Sequence, residues 1–204
     1  MIIRSFCLLC VLFVGAVQGQ EPIDGVDARS NAAEFAKQLG SPDPHVRQRS
    51  AEALARLAAV DQRKLVQGYQ LQEKNKEVRL ALDWALYRMG EQAALYRVVQ
   101  SLDSDRQEQA IGYLAELEGP DVLYPFLKKQ NNAPRVNAGI LKALARIGDA
   151  QSLELIKPFR DSHQPYVAEA AEIAHDEIEK RLGEPATPTR GRPRTVSAAG
   201  DRPR

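Results

Sequence analysis

The sequence predicts an all-α fold, a right-handed α-solenoid of about five stacked helical hairpins over residues 27–182. Three observations carry that expectation. First, one helix-start design recurs: Asp43-Pro44, then Val46, Ala51, Leu54, Ala55 and Ala58 along one helical stripe, repeated from Asn75 and Asn132 and more loosely from Asp105 and Ser162. Second, the aligned leucines of the second helices are regularly spaced: Leu54 to Leu86 is 32 residues, Leu86 to Leu114 is 28 and Leu114 to Leu144 is 30. Third, aromatic content is only 6% while alanine and leucine are abundant, which suits helices packed closely through small side chains better than a sheet.

Taken in order, Asp27 opens a first helix that Gly40 closes. A second runs from Pro44 to Ala59, a third from Asp61 to about Gln72, and a fourth from Asn75 to Gly90. The spans 91–101 and 105–117 form the next pair, followed by 120–129 and 134–147, with Gly119 and Gly148 as breaks. The spans 149–160 and 164–182 form the last. Each hairpin alone exposes an apolar face, and stacking hides it. The last helix carries Glu169, Glu172, Asp176, Glu177, Lys180 and Arg181, the polar outer face that a terminal repeat needs.

The pattern resembles HEAT repeats, in particular the short HEAT-like type known from phycobilisome lyases. The resemblance rests on Asp43-Pro44-His45-Val46-Arg47 with Ala53-Leu54-Ala55-Arg56, on Val78-Arg79 with Ala85-Leu86-Tyr87-Arg88-Met89-Gly90, and on Ala143-Leu144-Ala145-Arg146-Ile147-Gly148. Pro125-Phe126 and Pro158-Phe159 match the proline that bends first helices in that family. The third pair departs from it, because 105–117 lacks the Val-Arg start. The resemblance implies a protein-binding scaffold rather than any one activity.

The flanks read differently. Arg4 followed by the apolar run 6–17 and the small residues Val17-Gln18-Gly19 predicts a signal peptide over residues 1–19, hence export to a periplasmic or secreted location, followed by a linker over 20–26. Both cysteines, Cys7 and Cys10, fall in that leader, so the mature chain lacks disulfides and thiolate ligands. Residues 183–204 hold five arginines against Glu184 and Asp201 and four prolines, the composition of a disordered basic tail. Within it, Arg190-Gly191-Arg192-Pro193-Arg194 looks like an AT-hook core, although so short a stretch in an arginine-rich tail reads first as a solvated charge run. The whole chain carries a formal net charge of +1, which selects neither nucleic acid nor an anionic membrane.

No phosphate-binding loop, HExxH or GxSxG occurs, so the sequence predicts no catalysis and no cofactor. His175 and Glu179 share a helix face but lack the further ligands of a metal site. Two arginine columns recur: Arg47 and Arg79 open their helices, with Arg47 expected to pair with Asp43, while Arg56, Arg88 and Arg146 close theirs and favour the helix dipole. The fourth helix breaks three columns at once. Trp84 stands with Glu52, Gly112 and Lys142 in a polar or small column, which predicts a partly exposed indole. Asp83 stands with Ala51, Ile111 and Leu141, and Tyr87 with Ala55, Ala115 and Ala145. These departures mark either recognition or filling of space left by the polar third helix. The expected partner is a protein or peptide, held on the ridge of second helices by Trp84, Tyr87, Asp83, Arg56, Arg88, Arg146 and Tyr113. The rival readings are a bilin-lyase-like enzyme or enzyme subunit, and nucleic-acid binding through the helices and tail.

Overall fold

The computed structural model describes residues 23–129 and 131–183. Ten helices occur there, and no strand among the described residues. They are α1 (Ile23–Gln38), α2 (Pro44–Arg56), α3 (Arg63–Gln72), α4 (Lys76–Arg88), α5 (Gln92–Gln100), α6 (Gln107–Leu114), α7 (Tyr124–Leu127), α8 (Pro134–Ile147), α9 (Ala150–Arg160) and α10 (Pro165–Gly183). The leader 1–19 and the tail beyond Gly183 lie outside the described residues. Helix α1 starts inside the expected linker, four residues before Asp27.

Local chemistry explains most starts and stops. Asp43 accepts from the backbone N–H of His45 at 2.9 Å, with Pro44 at the first position of α2. Asn75 accepts from the N–H of Val78 at 3.0 Å. Asp149 and Ser152 form a reciprocal capping box at α9. Asp61 does not cap α3; it sits in a short 3-10 turn, Val60–Gln62, and makes no capping bond. Gly90, at φ +95°, ends α4 with paired bonds from Gly90 N–H to Tyr87 O and from Glu91 N–H to Leu86 O. The end of α2 has the same two bonds, Ala58 to Ala55 and Ala59 to Leu54, but an alanine stands where α4 has glycine. Ala58 therefore adopts φ +44° outside the helix and is exposed, rather than lying on the buried stripe.

The second helices α2, α4, α6, α8 and α10 pack on one another in succession, while α1, α3, α5 and α9 lie against the second helix of their own or a neighbouring pair. The four aligned leucines sit in the seam between these layers: Leu54, Leu114 and Leu144 are 0% exposed and Leu86 is 1%. The all-α solenoid expected from the repeats is thus the fold, although α7 is reduced to one turn after a 3-10 turn (Asp121–Leu123), with Pro125 near its start. The Tyr124 hydroxyl donates to Asp149 Oδ1 at 2.6 Å and fastens α7 to the start of α9. Among the described residues, no helix is long and apolar enough to cross a membrane.

Candidate partner-binding surface

The ridge of second helices presents two successive troughs, one floored by α4 and one by α8. The α4 trough is filled from within. Trp84 is 2% exposed, so the expectation of a partly open indole is corrected. Its ring lies parallel to that of Tyr113 from α6, with centroids 5.6 Å apart and planes at 2°, and it stacks on Tyr87 at 5.5 Å. The guanidinium of Arg88 sits 5.8 Å from the indole centroid. Tyr113 is 6% exposed, and its hydroxyl donates to Glu52 Oε1 at 2.7 Å while accepting from Gln109 Nε2 at 2.8 Å. Burial pushes the Tyr113 phenol far above its ordinary range, so it acts as a neutral donor.

That bond is unusual for a solenoid. Helices α2 and α6 are separated by α4, and repeats normally touch only their neighbours. The Tyr113 side chain crosses over α4 to reach Glu52, roofing Trp84 on the way. Tyr87 stays half-buried, beside a shallow pocket shared with Arg88, Ala58 and Glu118.

Asp83 points elsewhere. One residue turns a helix by about 100°, so the neighbour of Trp84 faces the layer of first helices. Asp83 is 5% exposed and accepts from Arg97 Nε of α5 at 2.6 Å and from Gln70 Nε2 of α3 at 3.0 Å. Burial raises its carboxyl above the ordinary aspartate value despite these donors. Its position explains the broken column: it ties α3, α4 and α5 together and is closed to a partner.

The arginine columns also separate. Arg47 does not pair with Asp43; it forms a two-pronged bond to Glu73, Nε to Oε2 at 2.7 Å and Nη2 to Oε1 at 3.0 Å. Arg79 donates twice to the carbonyl of that same Glu73, at 3.1 and 2.7 Å. In the helix-opening column, Arg47 therefore stitches one repeat to the next, while Arg79 braces the turn of its own hairpin. In the closing column, Arg88 covers Trp84 and lies 3.8 Å from Glu118. Arg56 and Arg146 are exposed and make no ion pair among the described residues.

The α8 trough is open. Its floor carries Arg135, Ala138, Lys142, Ala145 and Arg146. The walls come from Glu108 and Ile111 on α6 and from Tyr166, Ile173 and Glu177 on α10. Two hollows, of about 500 and 620 Å³, meet at Lys142 and Ile173 and run the length of α8. Ile173 is 51% exposed and Tyr166 43%, large side chains left without cover by the other described residues. Lys142 pairs with Glu108 at 3.1 Å across the α6 wall, and Arg181 donates to the last carbonyls of α8, Ala145 O at 2.9 Å and Gly148 O at 2.7 Å.

Sequence reasoning missed Tyr166, Ile173, Lys142 and Arg135 as surface residues. A signal existed for Lys142, which occupies the column of Trp84. Tyr113, one of the expected contacts, interrupts an alanine column formed by Ala53, Ala85 and Ala143, but it is packed rather than open. For α10 the expected polar cap is half right. Glu172 is held by Arg160 at 2.6 and 2.9 Å, away from the trough, whereas Glu169, Glu177 and Arg181 line the trough. His175 and Glu179 do meet, at 3.6 Å, and no group of three metal-binding side chains occurs among the described residues.

Comparisons with known proteins bear on this architecture. Residues 32–115 match the family described as HEAT repeats. No curated protein matches the chain. Among solved structures, an engineered protein determined by the Northeast Structural Genomics Consortium is 20% identical, with 76% of this chain and 81% of that chain covered and a TM-score of 0.37. The HEAT-repeat match runs from within α1 to the end of α6 and takes in the whole of α4; over residues 32–115 this chain is similar to HEAT repeats.

Proposed function

We propose that this chain is an exported scaffold that binds a protein or peptide in the α8 trough and performs no chemistry of its own. HEAT repeats in general mediate protein binding, which supplies the broad class. The observation that carries the finer reading is the contrast between the two troughs. The sequence concentrates aromatic side chains over α4, yet those rings satisfy one another, while Tyr166 and Ile173 over α8 are left uncovered by the other described residues, beside Arg135 and Arg146. An apolar centre rimmed by charge is the anatomy of a recognition patch. Export rests on the leader pattern of residues 1–19.

A photo-crosslinking amino acid placed at Ile173, and separately at the 80% exposed Leu71 on α3, tests the site in the native host. Adducts at Ile173 and none at Leu71 are expected; adducts confined to Leu71 refute the assignment. Mass spectrometry of the purified chain tests export, with Gln20 as the expected first residue and an intact Met1 start as the opposing result.

A further inference from the structure

Helices α4 and α8 superpose in sequence register with an offset of 58 residues, set by Leu86 and Leu144. In that register Trp84 corresponds to Lys142, Tyr87 to Ala145, and Arg88 to Arg146. Glu77 corresponds to Arg135, and Leu80 to Ala138. The two trough floors are thus the same surface with different side chains. Over α4 an indole lies beneath the guanidinium of Arg88 and between two phenol rings. Over α8 the equivalent arginine is present, exposed and without an ion pair among the described residues, while the residues that would fill the trough are cut back to alanine or replaced by lysine. What α4 holds in its own chain, α8 leaves to be supplied.

We propose that the α8 trough is a receptor for an aromatic side chain of a partner peptide whose neighbouring residues are acidic. This deepens the function proposed above and rests on it. Geometry selects the ring: a planar group entering beside Ala145 meets the side chain of Ile173 on the α10 wall and the Arg146 guanidinium, the counterpart of Arg88. Charge selects its neighbours. The exchanges Glu77 to Arg135 and Trp84 to Lys142 place two cations on the α8 floor that α4 lacks. Of the wall carboxylates, Glu108 is taken by Lys142, while Glu169 and Glu177 form no ion pair with Arg135 or Arg146 among the described residues. The cations at the two ends of the floor thus stay available to a partner's carboxylates, Arg135 giving one donor to Ser104 O. Positions 135 and 146 lie 11 residues apart on one helix, or about 16 Å at the helical rise, which is the span of roughly five extended residues. A short peptide can therefore set a ring beside Ala145 against the face of Arg146, one carboxylate on the N–H edge of that guanidinium and a second on Arg135 at the far end.

The probe is a random 12-residue peptide library displayed on phage, panned against the full chain. The blocking variant is Lys142→Trp with Ala145→Tyr, which transplants the α4 filling onto α8; Lys142→Trp alone, at a half-exposed position, serves if the double variant does not fold. Selected peptides are expected to be enriched in Trp or Tyr flanked by Asp or Glu. They should lose at least tenfold in affinity on the blocked chain and on Arg146→Ala, with circular dichroism unchanged, and bind Arg56→Ala as they bind the parent. Peptides without aromatic enrichment, or equal binding to the blocked chain, overturn the proposal. If crosslinks at Ile173 persist in that case, the site stands and only the partner class falls; if they too are absent, both readings fall together.

Discussion

Ala58 shows how a single backbone angle records a repeat that has drifted. The ends of α2 and α4 make the same pair of carbonyl bonds, and in both the residue after the cap takes a positive φ, +44° at Ala58 and +95° at Gly90. The left-handed region costs an alanine roughly 1–2 kcal/mol, because its Cβ crowds the neighbouring carbonyl. Glycine escapes that cost but gives up roughly 0.4–1 kcal/mol to the freer unfolded chain. The difference favours glycine, so Ala58→Gly is expected to raise stability by about 0.5–1 kcal/mol, read as a melting point a few degrees higher. An unchanged or lower melting point would show that the positive angle carries no strain. From sequence alone Ala58 reads as one more apolar position on the α2 stripe, since nothing local distinguishes a helix that ends at Arg56 from one that ends at Ala59.

At the scale of the element, the junction of α2, α3 and α4 turns on Glu73. Its carboxylate takes the two-pronged bond from Arg47 and the N–H of Asn75 at 2.8 Å, and its carbonyl takes both donors of Arg79. The hydrogen bond from Arg47 holds the Glu73 carboxyl below the ordinary glutamate range. A group depressed in the fold stabilises it above its unfolded value, and that contribution is lost as pH falls through the folded value. Stability should therefore decline below about pH 4.3, the unperturbed glutamate value, and Glu73→Gln should flatten that decline while lowering stability at pH 7. Urea titrations of both proteins between pH 3 and pH 7 measure it; an equal slope in the variant would assign the acid loss to other carboxylates. The arginines were legible as a recurring column, but their partner was not. Glu73 lies 26 residues from Arg47, and only the stacking of hairpins brings the two together.

For the whole molecule, the Tyr113–Glu52 bond joins residues 61 positions apart and converts three stacked helices into one closed unit. Two magnitudes decide what holds that unit. Removing the Tyr113 hydroxyl forfeits a hydrogen bond to a charged group, about 1.5–3 kcal/mol at most and less here because Glu52 is only half-buried. Removing the buried indole of Trp84 forfeits about 3–5 kcal/mol of packing. Trp84→Ala should therefore cost clearly more than Tyr113→Phe in denaturant unfolding. A Trp84→Ala loss below about 1 kcal/mol would mean that the ring is not a packed core element.

Periodicity alone determined the class of this molecule, because helix caps, breaks and apolar stripes are local and repeat in register: Asp43, Asn75, Gly90 and the four aligned leucines were all readable and all occupy the places expected of them. The same columns also marked α4 as anomalous. What they could not decide was which way the anomaly faces. Trp84 and Lys142 share one register position, yet Trp84 is sealed by a tyrosine from the next hairpin and Lys142 borders open space. For Trp84 that outcome depends on Tyr113 and Glu52, 29 and 32 residues away along the chain, brought near by stacking, and a one-dimensional repeat carries no record of which neighbour reaches across.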